Sequence, residues 1–320
     1  MSHIKAPHHS EPQGLPQQLY IRIQDFTLES GSTIHEAVVA TSFRGLLNAR
    51  RDNAVVICHP LSGSAAMEDW WSPITNRSDA ALDPSKYCLI CCNSLGSPYG
   101  SASPLTYPVG RGKGRRPYGS AFPKTTIQDD VRIHKTVLDI LGVRSIHCVI
   151  GVGMGAILAL EWALLGQEHV RAMVLISADA KHTPSMDKRS CGAERHDTPL
   201  RSRQKYPCHR VDLDPSFDHD CFHHMIDKIE SHVVIRSCSA STSEDEQAPK
   251  EVLGQIRQPA LVVKVPRPRI CPLEDKAHLF KNIPNVISAT IEHDEGYGES
   301  PIMAEQLDSM LHTFLDAIPR

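Results

Sequence analysis

The 320-residue chain contains no run approaching the roughly 20 apolar residues that a membrane-spanning helix requires, so no transmembrane anchor is expected. It also lacks an excess of either charge. Thirty-four Lys and Arg against 37 Asp and Glu leave a formal net charge of -3, which supplies no global field for nucleic acid or an anionic membrane surface. Residues 1–18 lack the apolar centre of a secretory signal and, with their Pro, Ser and His, read as a disordered lead. None of the ten cysteines forms a pair of C-x-x-C motifs at zinc-site spacing. The eighteen histidines, including His223, His224 and His232, do not match the helix spacing of a metalloprotease. No metal and no cofactor are therefore expected. No internal repeat suggests a solenoid. These exclusions lead to a cytoplasmic protein whose partner is a small-molecule substrate.

What the chain has is alternation. Its 41% hydrophobic content is enough for a sizeable core in one composite domain. Residues 20–23 and 34–40 form an expected antiparallel pair, and residues 54–58 and 88–92 read as buried strands. Cys88, Cys91 and Cys92 fall in one such strand, which suits buried free thiols better than a secreted disulfide framework. Residues 126–141 carry an apolar stripe at Val131, Val137, Leu138 and Leu141, stopped by Gly142. Strands at 147–150, 172–176, 260–265 and 286–291, with helices at 154–165 and 303–317, complete a largely parallel sheet covered on both faces. Between Asp179 and Gln258 the pattern breaks: residues 239–250 read as an acidic loop or linker, and residues 222–232 as one amphipathic helix. The basic run at 111–116 reads as a solvated loop that could also meet an anionic ligand. The expected division is a lead at 1–18, an α/β core at 19–182 and 258–320, and a lid insertion at 183–257.

The sharpest signal is the turn at Gly151-Val152-Gly153-Met154-Gly155, between an apolar strand and a strong helix. A nucleophile elbow reads G-x-S-x-G and lifts a serine hydroxyl into an active site. Here the central residue is Gly153, expected at the apex with positive φ. A dinucleotide fingerprint would need G-x-G-x-x-G, and these glycines are spaced wrongly for it.

Residues 58–64 (CHPLSGS), 69–71 (DWW), 93–101 (NSLGSPYGS) and 114–123 (GRRPYGSAFP), the elbow, 161–163 (EWA) and 180–182 (AKH) together resemble the homoserine O-acetyltransferase family, in that family's order and at similar spacing. The likeness runs from about Tyr20 to His182 and resumes less fully after Gln258. It implies an α/β-hydrolase fold with a reduced helical lid and, through that lid, a possible homodimer. It also implies an acyl transfer in which serine takes an acetyl group from acetyl-CoA, histidine shuttles the proton and aspartate orients the histidine. Carried onto this chain, the nucleophile falls on Gly153, the orienting aspartate at or next to Pro268, and the base on Tyr297. Gly298 replaces the aspartate that holds the amino-acid substrate. Loss of the nucleophile or the base alone costs about 10⁶-fold in turnover. The remaining pocket residues implied are Leu61 and Met154, whose main-chain N–H groups form the oxyanion hole, and Tyr99 in its loop.

Three function classes follow. The first is a noncovalent pocket catalyst of cyclase, isomerase or lyase type in specialised metabolism, with His59 as a general base and Tyr297 as an acid or hydrogen-bond donor. The second is a catalytically silent binding or partner protein, in which His59 is a scaffold histidine and Tyr297 a ring filling a vacated hole. The third is an acyltransferase or hydrolase with a displaced nucleophile, Ser62 or Ser64.

Overall fold

A computed structural model describes residues 18–61, 63–75, 79–109, 116–176, 218–232, 247–264, 280–291 and 301–319. Eight strands form one sheet: β1 (Leu19–Thr27), β2 (Thr33–Arg44), β3 (Ala54–Cys58), β4 (Cys88–Cys92), β5 (Ile146–Val152), β6 (Met173–Ile176), β7 (Ala260–Lys264) and β8 (Val286–Thr290). Their spatial order is β1-β2-β4-β3-β5-β6-β7-β8. The β1–β2 and β2–β4 pairs are antiparallel and every other pair is parallel.

The described helices are α1 (Met67–Thr75), α2 (Ile127–Leu141), α3 (Met154–Ala163), α4 (His219–Ser231), α5 (Gln247–Leu253) and α6 (Pro301–Asp316). They cover both faces, and the period-2 alternation of the strands divides the core accordingly. Val56 and Cys58 of β3 pack with α2, α3 and α4 through Val131, Ile157, Trp162 and Met225. Val55 and Ile57 face the other way, against Trp71, Leu311 and Phe314 of α1 and α6. Both faces of the central strands are thus buried, as a parallel sheet requires.

Local signals explain the helix ends. Thr126 caps α2 by accepting from the Asp129 N–H, the Asp129 carboxylate returns to the Thr126 N–H, and Gly142 closes the helix in the left-handed region at φ 83°. Two elements depart from expectation. Residues 239–250 are not linker throughout, since α5 begins at Gln247; the proline at 249 sits within its first turn, where a missing N–H costs nothing. The helix α1, kinked at Trp71, was not foreseen from its short sequence. Six cysteines, Cys58, Cys88, Cys91, Cys92, Cys148 and Cys221, are free and buried. No helix among the described residues is long and apolar enough to cross a membrane.

Candidate active site

In an open parallel sheet the ligand crevice lies beyond the carboxyl ends of the strands where the chain order reverses. From β3 the chain crosses to β4 on one side, then returns to β5 on the other. The reversal therefore falls between the ends of β3 and β5, where His59 and Leu61 follow one strand and Gly153 and Met154 the other.

Gly153 has φ 55° and ψ -116°, a conformation that a side chain rarely tolerates. Its N–H donates to the Ile176 carbonyl at 3.0 Å, and its own carbonyl accepts from the Ala156 N–H at 3.0 Å as α3 begins. The flanking glycines let three pieces of backbone close up. A Cβ on Gly151 would strike the Gly155 carbonyl, and one on Gly155 would strike the Cys58 carbonyl. The elbow is thus wedged against the end of β3. Gly155→Ala should lower stability by about 1–3 kcal/mol, because the clash is with backbone that cannot rotate away. Urea unfolding measures it, and a change below about 0.5 kcal/mol would mean that the elbow can slide off β3.

His59 leaves β3 almost fully buried. Its Nδ1 lies 2.8 Å from the Pro60 carbonyl, and its Nε2 lies 3.3 Å from the Ser94 backbone nitrogen. A backbone N–H can only donate, so Nε2 accepts and Nδ1 carries the proton. Burial pushes the imidazole down to about 4, so this neutral tautomer persists through neutral pH. Beyond it the chain turns, Gly63 N–H to Pro60 carbonyl at 2.9 Å, with Leu61 buried at the bend. Ser64 is buried and its Oγ accepts from the Ala66 N–H at 3.1 Å. Ser62 lies outside the described residues.

The structure does not gather all the anticipated positions around the elbow. The loop carrying Tyr99 and Gly100 lies across β1 and β2: a Cβ on Gly100 would press on Tyr20 and Ala40, and Ala102 N–H bonds the Val38 carbonyl. Two strands separate β2 from β5. Tyr99 itself is buried, and its carbonyl accepts from Asn93 Nδ2. Pro268, Tyr297 and Gly298 lie outside the described residues.

A buried polar cluster beside the crevice was missed. The Asp130 carboxylate on α2 accepts the Leu95 N–H at 2.9 Å and pairs with Lys228 Nζ on α4 at 2.7 Å, and Lys228 also donates to the Leu95 carbonyl at 2.6 Å. Both side chains are fully buried, and desolvation raises the Asp130 pKa and lowers that of Lys228, against the mutual attraction of the pair. Nearby, His134 Nε2 lies 3.2 Å from the Asn93 carbonyl, and the Asn93 Oδ1 accepts from Ala65 N–H. A signal was available for Lys228. It stands seven residues after Cys221 and three after Met225, on the buried stripe of α4 where a cation needs a partner. Asp130 gave none, because an acid in a helix's first turn is ordinary.

The tight elbow at the strand-order reversal, in a mostly parallel eight-stranded sheet, decides the fold. This is an α/β-hydrolase fold. A family profile described as the alpha/beta hydrolase fold matches residues 53–191. The homoserine O-acetyltransferase of Emericella nidulans is 49% identical over 169 residues, 53% of this chain and 34% of that protein. Homoserine O-acetyltransferase FUB5 of Gibberella fujikuroi is 44% identical over 200 residues, 62% of this chain and 46% of that protein. The chain thus spans between a third and a half of the length of these curated relatives. The solved homoserine O-acetyltransferase of Bacillus anthracis superposes with a TM-score of 0.68 over 94% of this chain and 98% of its own, at 16% identity, a likeness of fold. The resemblance read from the motifs is therefore a similarity in sequence as well as in fold. No cluster of three or more potential metal ligands occurs among the described residues.

Proposed function

We propose that this homoserine O-acetyltransferase-like protein uses the β3–β5 crevice to bind and polarise the carbonyl of a small polar metabolite without forming an acyl-enzyme at the elbow. One observation carries the reading: the apex residue, in the strained backbone conformation of a nucleophile elbow, is Gly153. With no hydroxyl there, no ester can form at that atom. What survives is backbone. Met154 opens α3, and the first N–H groups of a helix have no intrahelical acceptor. With the N–H of Leu61 they would supply oxyanion donors worth about 3 kcal/mol each to developing negative charge. Such polarisation supports enolisation, ring closure or elimination, with Tyr297 at the former histidine position as the acid or hydrogen-bond donor that this reading calls on. Ser64 as a displaced nucleophile is disfavoured, since it is buried and its oxygen already accepts from the Ala66 N–H.

Intact-mass analysis after incubation with acetyl-CoA and after a fluorophosphonate reagent tests this. Neither should add mass to the protein. Gly153→Ser should stay unlabelled or react only sluggishly, because an unassisted hydroxyl is a weak nucleophile and a side chain at this φ costs about 1–3 kcal/mol of strain. Stoichiometric acetylation of the unaltered protein, mapped to Ser62 or Ser64, would overturn the reading in favour of ordinary acyl transfer.

A second reading, a catalytically silent binding or partner protein, is favoured by His59. Both of its nitrogens are occupied and it stays neutral. On that reading it holds the Pro60 and Ser94 loops rather than moving a proton. Screening small oxo- and hydroxy-acids by native mass spectrometry separates the two: turnover of a bound compound supports the catalyst, and binding without turnover supports the silent form.

A further inference from the structure

The exposed face of α4 carries two imidazoles that converge on one point. His219 and His223 stand one helical turn apart, and their Nε2 atoms share a hydrogen bond at 3.0 Å, with ring planes at 64°. Successive turns place i and i+4 side chains as neighbours, but the approach of the two nitrogens is a matter of rotamer. This separation has a chemical meaning. Two imidazole nitrogens bound to one ion at 2.0–2.1 Å, with an angle between 90° and tetrahedral, lie roughly 2.9–3.4 Å apart. The observed hydrogen-bond distance falls inside that interval, so an ion can take the place of the shared proton with both rings where they stand.

The surroundings suit a cation. The Nδ1 of His219 is 3.9 Å from the Asp220 carboxylate, beyond hydrogen-bond reach but close enough to lend the pair negative charge. A cation near a helix N-terminus is disfavoured by the helix dipole. Asp218, which caps the helix by accepting from the Cys221 N–H, and Asp220 in the first turn counter that term. The His219 side chain is 59% exposed, so water can complete the coordination sphere. The pair differs from the adjacent His223 and His224 noted in the sequence. His224 turns inward instead, with Nε2 2.8 Å from Thr125 Oγ1 and its ring edge-on to Phe122.

We infer that His219 and His223 form a bidentate surface site for a borderline divalent transition ion such as Cu²⁺, Ni²⁺ or Zn²⁺. Imidazole nitrogens select this class over Mg²⁺ or Ca²⁺, which take oxygen ligands. The site pins the first turn of α4, the helix that buries Lys228 against Asp130 and Leu95 beside the crevice, so occupancy stabilises the packed position of that helix by mass action. It stands independently of the proposed carbonyl chemistry.

Because other histidines and cysteines also bind such ions, the probe is Cu²⁺ held by iminodiacetate, which leaves adjacent coordination positions for a pair of nitrogens. The full chain is titrated by calorimetry and electron paramagnetic resonance beside His219→Ala, His223→Ala and, as a control at an exposed histidine elsewhere, His35→Ala. The unaltered protein and the control should bind one equivalent more than either α4 variant. The two variants should lose that same equivalent, roughly 10²-fold in affinity, because removing either donor destroys the chelate. The spectrum of that equivalent should show two coordinating nitrogens from the protein. Equal stoichiometry and affinity in all four proteins would overturn the site. So would loss in only one of the α4 variants, which describes a single-histidine contact. Circular dichroism on the variants confirms that α4 is retained.

Discussion

Lys228→Met should destabilise the protein by about 3–5 kcal/mol, because it leaves the Asp130 carboxylate buried without its cation. The pair joins residues 98 apart in sequence, one on α2 and one on α4. Lys228 also donates to the Leu95 carbonyl while Asp130 accepts the Leu95 N–H, so both partners clamp the loop that follows β4. Asp130→Leu should be similarly harmful, since it strands the ammonium. The double variant Lys228→Met with Asp130→Leu removes both charges, and should recover much of the loss because neither desolvation penalty remains. Urea unfolding of the four proteins closes the cycle. Additive losses in the double variant would show that the two groups do not act as a pair. A single variant with unchanged midpoint would show that Lys228 reaches water in solution.

Stability should fall steeply between about pH 6.5 and pH 4, by several kcal/mol. Burial holds His59 and His134 down to about 4 and His224 down to about 3, against 6.5 for a free imidazole. Below 6.5 the unfolded chain takes up protons that the folded chain refuses, so the unfolded state binds more protons and stability falls with pH. The contribution is whole above 6.5 and is lost as pH drops toward the folded values. At pH 5 each imidazole costs about 2 kcal/mol, and three together rival the 5–15 kcal/mol total of an ordinary domain. Asp130, raised by burial, takes a proton in the folded state and offsets part of this at the acid end. Asp52, lowered to about 2 by its Asn48 and Arg171 hydrogen bonds, acts only below that window. The check is the urea midpoint across pH 5–7.5, with His134→Gln reducing the slope by one proton. A midpoint flat from pH 7.5 to 5 would contradict the buried neutral assignment.

The sequence by itself determined the elements and the elbow. Short apolar runs located the strands to within a few residues, Gly142 stopped α2, and the three glycines from Gly151 to Gly155 marked a strand-to-helix turn without a serine. These are local properties: side-chain alternation, caps and permitted φ are set by neighbours in the chain. Only the tertiary structure decided what lies around that turn. It fixed the tautomer of His59 through a backbone N–H 35 residues away, seated the Tyr99 loop on β1 and β2, and joined Lys228 to Asp130 across 98 residues. A charged residue's partner is chosen by which helix faces lie against each other, and no periodicity in one segment encodes that choice. The convergence of His219 and His223 belongs to both levels. Their spacing is written in the sequence, but the 3.0 Å approach depends on rotamers that the folded helix selects.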